Sequence, residues 1–332
     1  MALQELDAPT GVRVLALPDA RVLTLRSDVW ELDVLPGTGA ALGGGRVRTA
    51  DGVWRDLLRP TRGANALGDP EKCSSFPMIP WSNRIRGGAL SFDGRTWQLQ
   101  QNGADGSAIH GAARHSTWDV AARTSSSVTL DLDTSDLTGV NFPWCFSARL
   151  VYEVEGPTLS VTTTVRNTDA EPFPAGFGHH PYLQRSLLPV GDPSPLTPGN
   201  PVLQIPAHGG YALDAGNAVR PAGPVPPRAD FRSRRPLGHA FVDDVLTARD
   251  LDEPVRVEYP DAGVAVALDA DPVFEHLVVY APRRRPYFAI EPATNVNNGF
   301  ALHDAGVPGT GVFVLEPGQS RTGTFTLTVE SL

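Results

Sequence analysis

Phe146-Ser-Ala-Arg-Leu-Val-Tyr-Glu-Val154 and Leu159-Ser-Val-Thr-Thr-Thr-Val165 alternate apolar and polar residues, the first with one slip. The turn signal Glu155-Gly-Pro157 stands between them. Alternation with period two puts one set of side chains on a core face and the other toward solvent or a cleft. Ser127-Val-Thr-Leu-Asp-Leu-Asp133 and Thr324-Phe-Thr-Leu-Thr-Val329 repeat the pattern, and Gly263-Val-Ala-Val-Ala-Leu-Asp269 alternates large and small apolar residues. β-Branched residues fill these runs, as a pleated surface favours. Turn signals at Asp51-Gly52, Asp93-Gly94, Asn102-Gly103 and Pro317-Gly318 punctuate the chain. Asp93-Gly94, between Ala89-Leu-Ser-Phe92 and Arg95-Thr-Trp-Gln-Leu99, predicts a hairpin. Helices are scarce; one short helix is predicted from Asp243 to Asp252. Leu187 to Pro236 is rich in Pro, Gly and Ala and reads as long surface loops. Similar strand patterns resume on both sides of it, so residues 1–332 read as a single antiparallel β-sandwich domain.

Composition agrees. With 332 residues the chain is long enough to bury a large core, roughly 75% of the unfolded surface. Its 33 Gly and 31 Pro suit many short strands joined by turns better than helices. A net charge of −9 argues against nucleic acid as a partner, because phosphates call for a basic face. Cys73 and Cys145 are too few for a disulfide framework and lack metal-ligand spacing, which fits a reduced, cytoplasmic setting. Met1-Ala-Leu-Gln-Glu-Leu-Asp7 has no basic stretch leading into an apolar run, so no signal peptide is expected. No apolar stretch approaches the ~18 residues of a spanning helix, so no membrane partner is expected either.

Five segments carry chemistry. In Phe76-Pro-Met-Ile-Pro-Trp-Ser-Asn-Arg-Ile-Arg-Gly-Gly88, two prolines stiffen the approach to Trp81, Asn83 and Arg84. The stretch reads either as a turn with a surface salt bridge or as donors holding a ligand hydroxyl beside an aromatic platform. Trp81 serves equally as that platform or as core. In Ala108-Ile-His110-Gly111 the histidine is either a structural hydrogen-bonder or a site residue, and Gly111 allows close backbone approach. In Gly176-Phe-Gly-His-His-Pro-Tyr-Leu183, adjacent histidines on a strand point to opposite faces, so one can face a cleft while the other supports it. Opposite faces also disfavour joint chelation of a metal, and acid–base chemistry is the natural functional use. Phe241-Val-Asp-Asp-Val-Leu-Thr247 reads by itself as a solvated acidic turn. In Tyr287-Phe-Ala-Ile-Glu-Pro-Ala-Thr294, Glu291 ends an apolar strand, either solvated or as a partly desolvated base at a cleft rim.

Together the five segments resemble aldose 1-epimerases, the galactose mutarotases. The resemblance runs from about Val12 to Val329. Its motifs fall in order: Pro-x-x-Asn-Arg-Ile from Pro80, His-Gly at His110, His-Pro-Tyr at His180, Asp243, Glu-Pro at Glu291, and Glu-Pro-Gly-Gln-Ser from Glu316. It implies the antiparallel galactose-mutarotase-like β-supersandwich, a sugar-binding cleft, no cofactor and no metal. It implies Glu291 as general base and His180 as general acid, with His110 positioning the ring oxygen. Arg84, Asn83 and Asp243 would bind sugar hydroxyls; His179 has no counterpart. The implied activity is interconversion of the α and β anomers of a free hexose by a monomer or homodimer. The rival readings are a hexose-6-phosphate 1-epimerase, with Arg283-Arg284-Arg285 as the basic cluster, and a non-catalytic carbohydrate-binding sandwich. A glycoside hydrolase would need Asp243 and Glu291 to face each other across the cleft.

Overall fold

The computed structural model describes residues 22–62, 68–192 and 199–332, together with the paired strands Glu5–Asp7 and Arg13–Leu15. Met1 to Gln4 of the N-terminal stretch, Val12, and residues 193–198 of the Leu187–Pro236 region lie outside it.

The alternating runs form strands. Phe146–Glu155 and Thr158–Asn167 pair antiparallel in unbroken register from Phe146↔Asn167 to Glu155↔Thr158. Phe146, Ala148, Leu150, Tyr152 and Val154 are buried, so one face of the strand is core. On neighbouring strands, threonine hydroxyls bond across the other face: Thr158 to Thr328, Thr162 to Thr324 and Thr164 to Thr322, at 2.8–3.0 Å. These strands are the middle of a nine-stranded sheet. Its order is Asp119–Arg123, Ser127–Asp133, Phe146–Glu155, Thr158–Asn167, Ser320–Ser331, Val264–Ala270, Val255–Tyr259, Val202–Gln204 and Arg235–Pro236.

A seven-stranded antiparallel sheet is built around Val242–Arg249, His276–Ala281 and Tyr287–Ala293, and Gly178–His179 and Tyr182–Gln184 both pair with the last of these. The His179 side chain spans the gap between the two sheets. Its Nε2 lies 2.7 Å from the Thr163 hydroxyl and its ring 5.1 Å from that of Phe325, both on the nine-stranded sheet. The opposite face of the seven-stranded sheet is left for the site. A four-stranded sheet from Leu23–Arg26 to Trp54–Asp56 packs alongside, sharing one continuous hydrophobic cluster with the larger sheets.

The Asp93-Gly94 hairpin forms as predicted, with Phe92 opposite Arg95 and both turn residues at positive φ. The helix predicted from Asp243 to Asp252 does not form. Asp243 to Arg249 enter the strand Val242–Arg249, in which Val242 to Leu246 pair in register with Ala281 to Leu277. Among the described residues the one α-helix is Gly299–Asp304. The loop-like Leu187–Pro236 region contributes several two- to four-residue strands, including Val202–Gln204 and Ala207–Gly210.

Candidate active site

Register fixes which side chains share the free face. Glu291 pairs with Val278, Asp243 with Tyr280, and both Tyr280 and Tyr182 with Ala289. Side chains two apart on one strand, or opposite each other across strands, share a face. Glu291, Tyr287, Val278, Tyr280, Asp243 and Tyr182 therefore line one surface. All six line an open cavity of ≈ 280 Å³. That is near the small end of the ~300–1,000 Å³ range of ligand pockets and suits one sugar unit better than a polysaccharide.

The loops complete the cavity. His110 follows the two-residue strand Ala108–Ile109, which pairs with Arg84–Ile85, and its backbone N–H donates to the Asn83 carbonyl at 2.8 Å. His110 takes φ +63, and Gly111 beside it φ +75. A Cβ on Gly111 would stand 2.2 Å from the Ile79 carbonyl oxygen, so only glycine lets the two backbones meet here. Asn295, four residues after Glu291, clamps the Asn83 loop. Its Oδ1 accepts from the Ser82 N–H at 2.9 Å, and its backbone carbonyl accepts from the Ser82 hydroxyl at 2.7 Å. Arg84 donates from Nη1 to Asn83 Oδ1 at 2.9 Å and from Nε to Asp105 Oδ2 at 2.7 Å.

At the floor, His180 Nε2 lies 3.0 Å from Glu291 Oε1. Both are almost fully buried, Glu291 at 1% exposure and His180 at 5%. Burial pushes the Glu291 carboxyl well above its usual range, and the nearby Asp243 charge adds to the rise while Arg84 opposes it. Burial pushes the His180 imidazole down to about 3, assisted by Arg59. Both shifts have the same physical origin, the cost of charge in a dry site. His110 is also held well below its usual value by burial and by His180. Phe76 joins the two histidines, stacked on His180 at 5.0 Å and edge-on to His110 at 5.4 Å. Glu291 Oε2 and the Nδ1 atoms of His110 and His180 are buried without a hydrogen-bond partner.

The structure thus brings all six sequence-predicted residues, Asn83, Arg84, His110, His180, Asp243 and Glu291, to one cavity. Several details differ from expectation. Glu291 does not end its strand, which runs on through Pro292 to Ala293. Asp243 and Asp244 form no solvated turn. Asp243 lines the cavity, while Asp244 is buried beneath and accepts two bonds from Arg228, at 2.6 and 2.8 Å. Trp81 is fully buried core and no platform. Arg283, Arg284 and Arg285 are exposed on the turn between two strands and do not line the cavity. Among the described residues no cluster of three or more His, Cys, Asp or Glu has the geometry to hold a metal ion.

The sequence reading missed Arg59, Glu71, Phe76, Tyr280 and Tyr287. Tyr280 and Tyr287 were legible in principle, since they alternate in phase with Val278 and Glu291. Arg59 sits on an irregular segment and Glu71 in the three-residue 3₁₀ turn Pro70–Lys72, both too short to show a periodicity.

Residues 22–328 match the aldose 1-epimerase family. The chain belongs to that family. The Escherichia coli (strain K12) protein YphB, itself uncharacterized, is 27% identical over 303 residues, covering 85% of this chain and 92% of its own. Among solved structures, a galactose mutarotase-like protein of Clostridium acetobutylicum superimposes with a TM-score of 0.80 at 18% identity. It covers 100% of this chain and 99% of its own. The GalM/aldose epimerase homologue of C. elegans superimposes with a TM-score of 0.78 at 17% identity, covering 94% and 99%. At such identities the likeness shows the galactose-mutarotase-like fold. For this family member, the strongest local support for chemistry is the buried His180–Glu291 pair on the cavity floor.

Proposed function

We propose that the protein is an aldose 1-epimerase acting on a free, non-phosphorylated hexose. The observation that carries this reading is the 3.0 Å contact between His180 Nε2 and Glu291 Oε1 at the base of a cavity sized for one sugar. Anomer exchange requires a base to take the proton from the C1 hydroxyl and an acid to protonate the ring oxygen. As the C1–O5 bond breaks, C1 and O1 become a carbonyl. Rotation about C1–C2 then turns the aldehyde over, and the ring closes on its other face with the roles reversed. Glu291 takes the proton of the C1 hydroxyl and His180 supplies the proton to the ring oxygen. Burial favours a net-neutral pair sharing one proton, which moves along the Oε1···Nε2 contact. Arg84 favours the carboxylate form of Glu291, and with Asn83, His110 and Asp243 it orients the sugar hydroxyls.

The exposed Arg283–Arg285 turn weakens the phosphorylated-sugar reading, because those charges stand outside the cavity lining. The deciding experiment is NMR exchange spectroscopy of α and β anomers over free hexoses, hexuronates and hexose 6-phosphates, with and without EDTA. Accelerated exchange of a free sugar, undiminished by EDTA, is expected. Saturable sugar binding without acceleration would mean a non-catalytic binding protein, and loss on chelation restored by a divalent metal would sink the metal-free mechanism.

A further inference from the structure

Arg59 lines the same cavity as Glu291 and His180. Its backbone N–H donates to the Tyr182 carbonyl at 2.8 Å, fixing it beside the His180-Pro-Tyr182 segment. Its guanidinium is held by aromatic faces, with Cζ 3.7 Å from the Tyr182 ring centroid and 4.8 Å from that of Tyr287. Nη2 donates to the backbone carbonyls of Glu71 and Cys73, and Nε is buried without a partner. Cation–π contacts and neutral carbonyls hold a guanidinium in place without cancelling its charge.

The other paired charges around the cavity are answered. Arg84 bonds Asp105, and Glu71 receives Arg114 at 2.5 Å. Among the described residues Arg59 forms no ion pair with a carboxylate. A fixed cation in a ligand cavity, left without a carboxylate partner, is a receptor for an anion. Its position says where on a sugar the anion sits. The Tyr182 ring lies against both Arg59 and His180, at 4.2 Å from the imidazole centroid and 3.7 Å from Cζ. His180 serves the ring oxygen, and C5 is bonded to that oxygen. With the ring oxygen at His180, a C6 group carried on C5 can be turned toward Arg59, which lines the same cavity and whose charge reaches His180. The charge of the anion is limited too. Asp243, Glu291 and Glu71 line the cavity with a single unanswered guanidinium, which suits a monoanionic carboxylate better than a phosphate dianion.

We propose that Arg59 is the specificity residue of this site and that the preferred aldose is a hexuronate, whose C6 carboxylate pairs with the Arg59 guanidinium. This deepens the epimerase reading by narrowing its free, non-phosphorylated sugar to a hexose oxidised to a carboxylate at C6, and it rests on the orientation of the ring oxygen toward His180.

Methyl glycosides cannot open, so their binding separates recognition from catalysis. Calorimetry on the full chain should show a methyl hexuronide binding at least tenfold more tightly than the corresponding methyl hexoside. Arg59→Met should cut that advantage to threefold or less, with Arg59→Lys between. Equal affinities in the wild-type protein, or an advantage that survives Arg59→Met, overturn the assignment. So does a hexose 6-phosphate that competes as well as the hexuronate. If Arg59→Met does not fold, the wild-type comparison decides alone. A hexuronide preference without accelerated anomer exchange removes the epimerase reading and leaves Arg59 as an anion receptor; exchange without the preference does the reverse.

Discussion

Glu291 and His180 are shifted in opposite directions by the same dry surroundings, and their substitution should show how much depends on the proton they share. Glu291→Gln keeps the size of the side chain but cannot take a proton, and His180→Asn cannot supply one near neutral pH. Each should slow anomer exchange by ~10²–10⁴-fold while leaving sugar binding measurable. Their double mutant should lose less than the product of the two losses, because both serve one proton transfer. His179→Asn is the contrast. His179 bonds Thr163 between the sheets, so its loss should lower stability and affect exchange mildly. An inactive His179→Asn beside a normal His180→Asn would move the catalytic role to His179. The pH profile follows from the same pair. With His180 pushed down to about 3, the second proton that would disable the pair is taken up only in strong acid. With Glu291 raised by burial, its single proton is held to higher pH than an ordinary carboxyl would hold it. Exchange per enzyme, corrected for the spontaneous rate, should therefore stay flat from pH 7 to 5. An inflection near 6.5, the ordinary histidine value, would contradict a buried, hydrogen-bonded His180.

Loops and strands differ in how much of this was legible. The nine-stranded sheet could be read because one face is core and the other wet, as in the burial alternation of Phe146–Glu155. The strands that carry the site have core on one face and the loop-enclosed cavity on the other. His276–Ala281 and Tyr287–Ala293 are buried almost throughout, so alternation of polarity is lost. In Val242–Arg249 the apolar residues Val242, Val245 and Leu246 even fall at helical spacing. In the strand that forms, Asp244 is on the face away from the cavity and is answered there by Arg228, a partner the local sequence does not reveal. The motif residues themselves were legible because the His179–His180 alternation and the Gly beside His110 are local signals. Arg59 was not, because its role depends on Tyr182 and Tyr287, both distant in sequence. The His110 loop offers a test at this scale. Gly111→Ala forces a left-handed backbone on a residue with a Cβ and drives that atom into the Ile79 backbone. Gly139 has φ +77 with nothing within 4 Å of its would-be Cβ. Gly139→Ala should cost about 1–2 kcal/mol, the backbone penalty alone. In urea unfolding Gly111→Ala should cost clearly more, and it should slow exchange by displacing His110. Equal costs for the two would mean that the close approach at Ile79 is relieved at no expense.

Across the whole molecule, the folded chain keeps four histidines buried: His110, His179, His180 and His276. Burial depresses His179 and His180 to about 3 and His276 to about 4, and holds His110 well below its usual value. The unfolded chain protonates each of them near 6.5, where the fold does not. Below that pH the unfolded state binds more protons, so the histidine contribution to stability is whole above about 6.5. It is then lost as pH falls toward the folded values. Glu291 and Asp243 act in the other sense. Their folded values are raised, so they favour the fold at low pH and lose that contribution as pH rises through those values. Asp56 and Glu275, also raised by burial, act in that same sense. The four buried histidines all share the pH 6.5 threshold, inside the interval, whereas the carboxyls of the unfolded chain titrate below it, so the histidine loss should dominate between pH 7 and 5. Calorimetric Tm at constant ionic strength should fall across that interval. His276 touches Tyr211 and lies outside the cavity lining, so His276→Asn removes one of the four without touching the catalytic pair. Whatever it does to Tm at pH 7, it should make the decline toward pH 5 shallower. A wild-type Tm that is level from pH 7 to 5 would mean that these imidazoles take up protons in the folded state as readily as in the unfolded one. The dry floor inferred for Glu291 and His180 would then have to be given up with it.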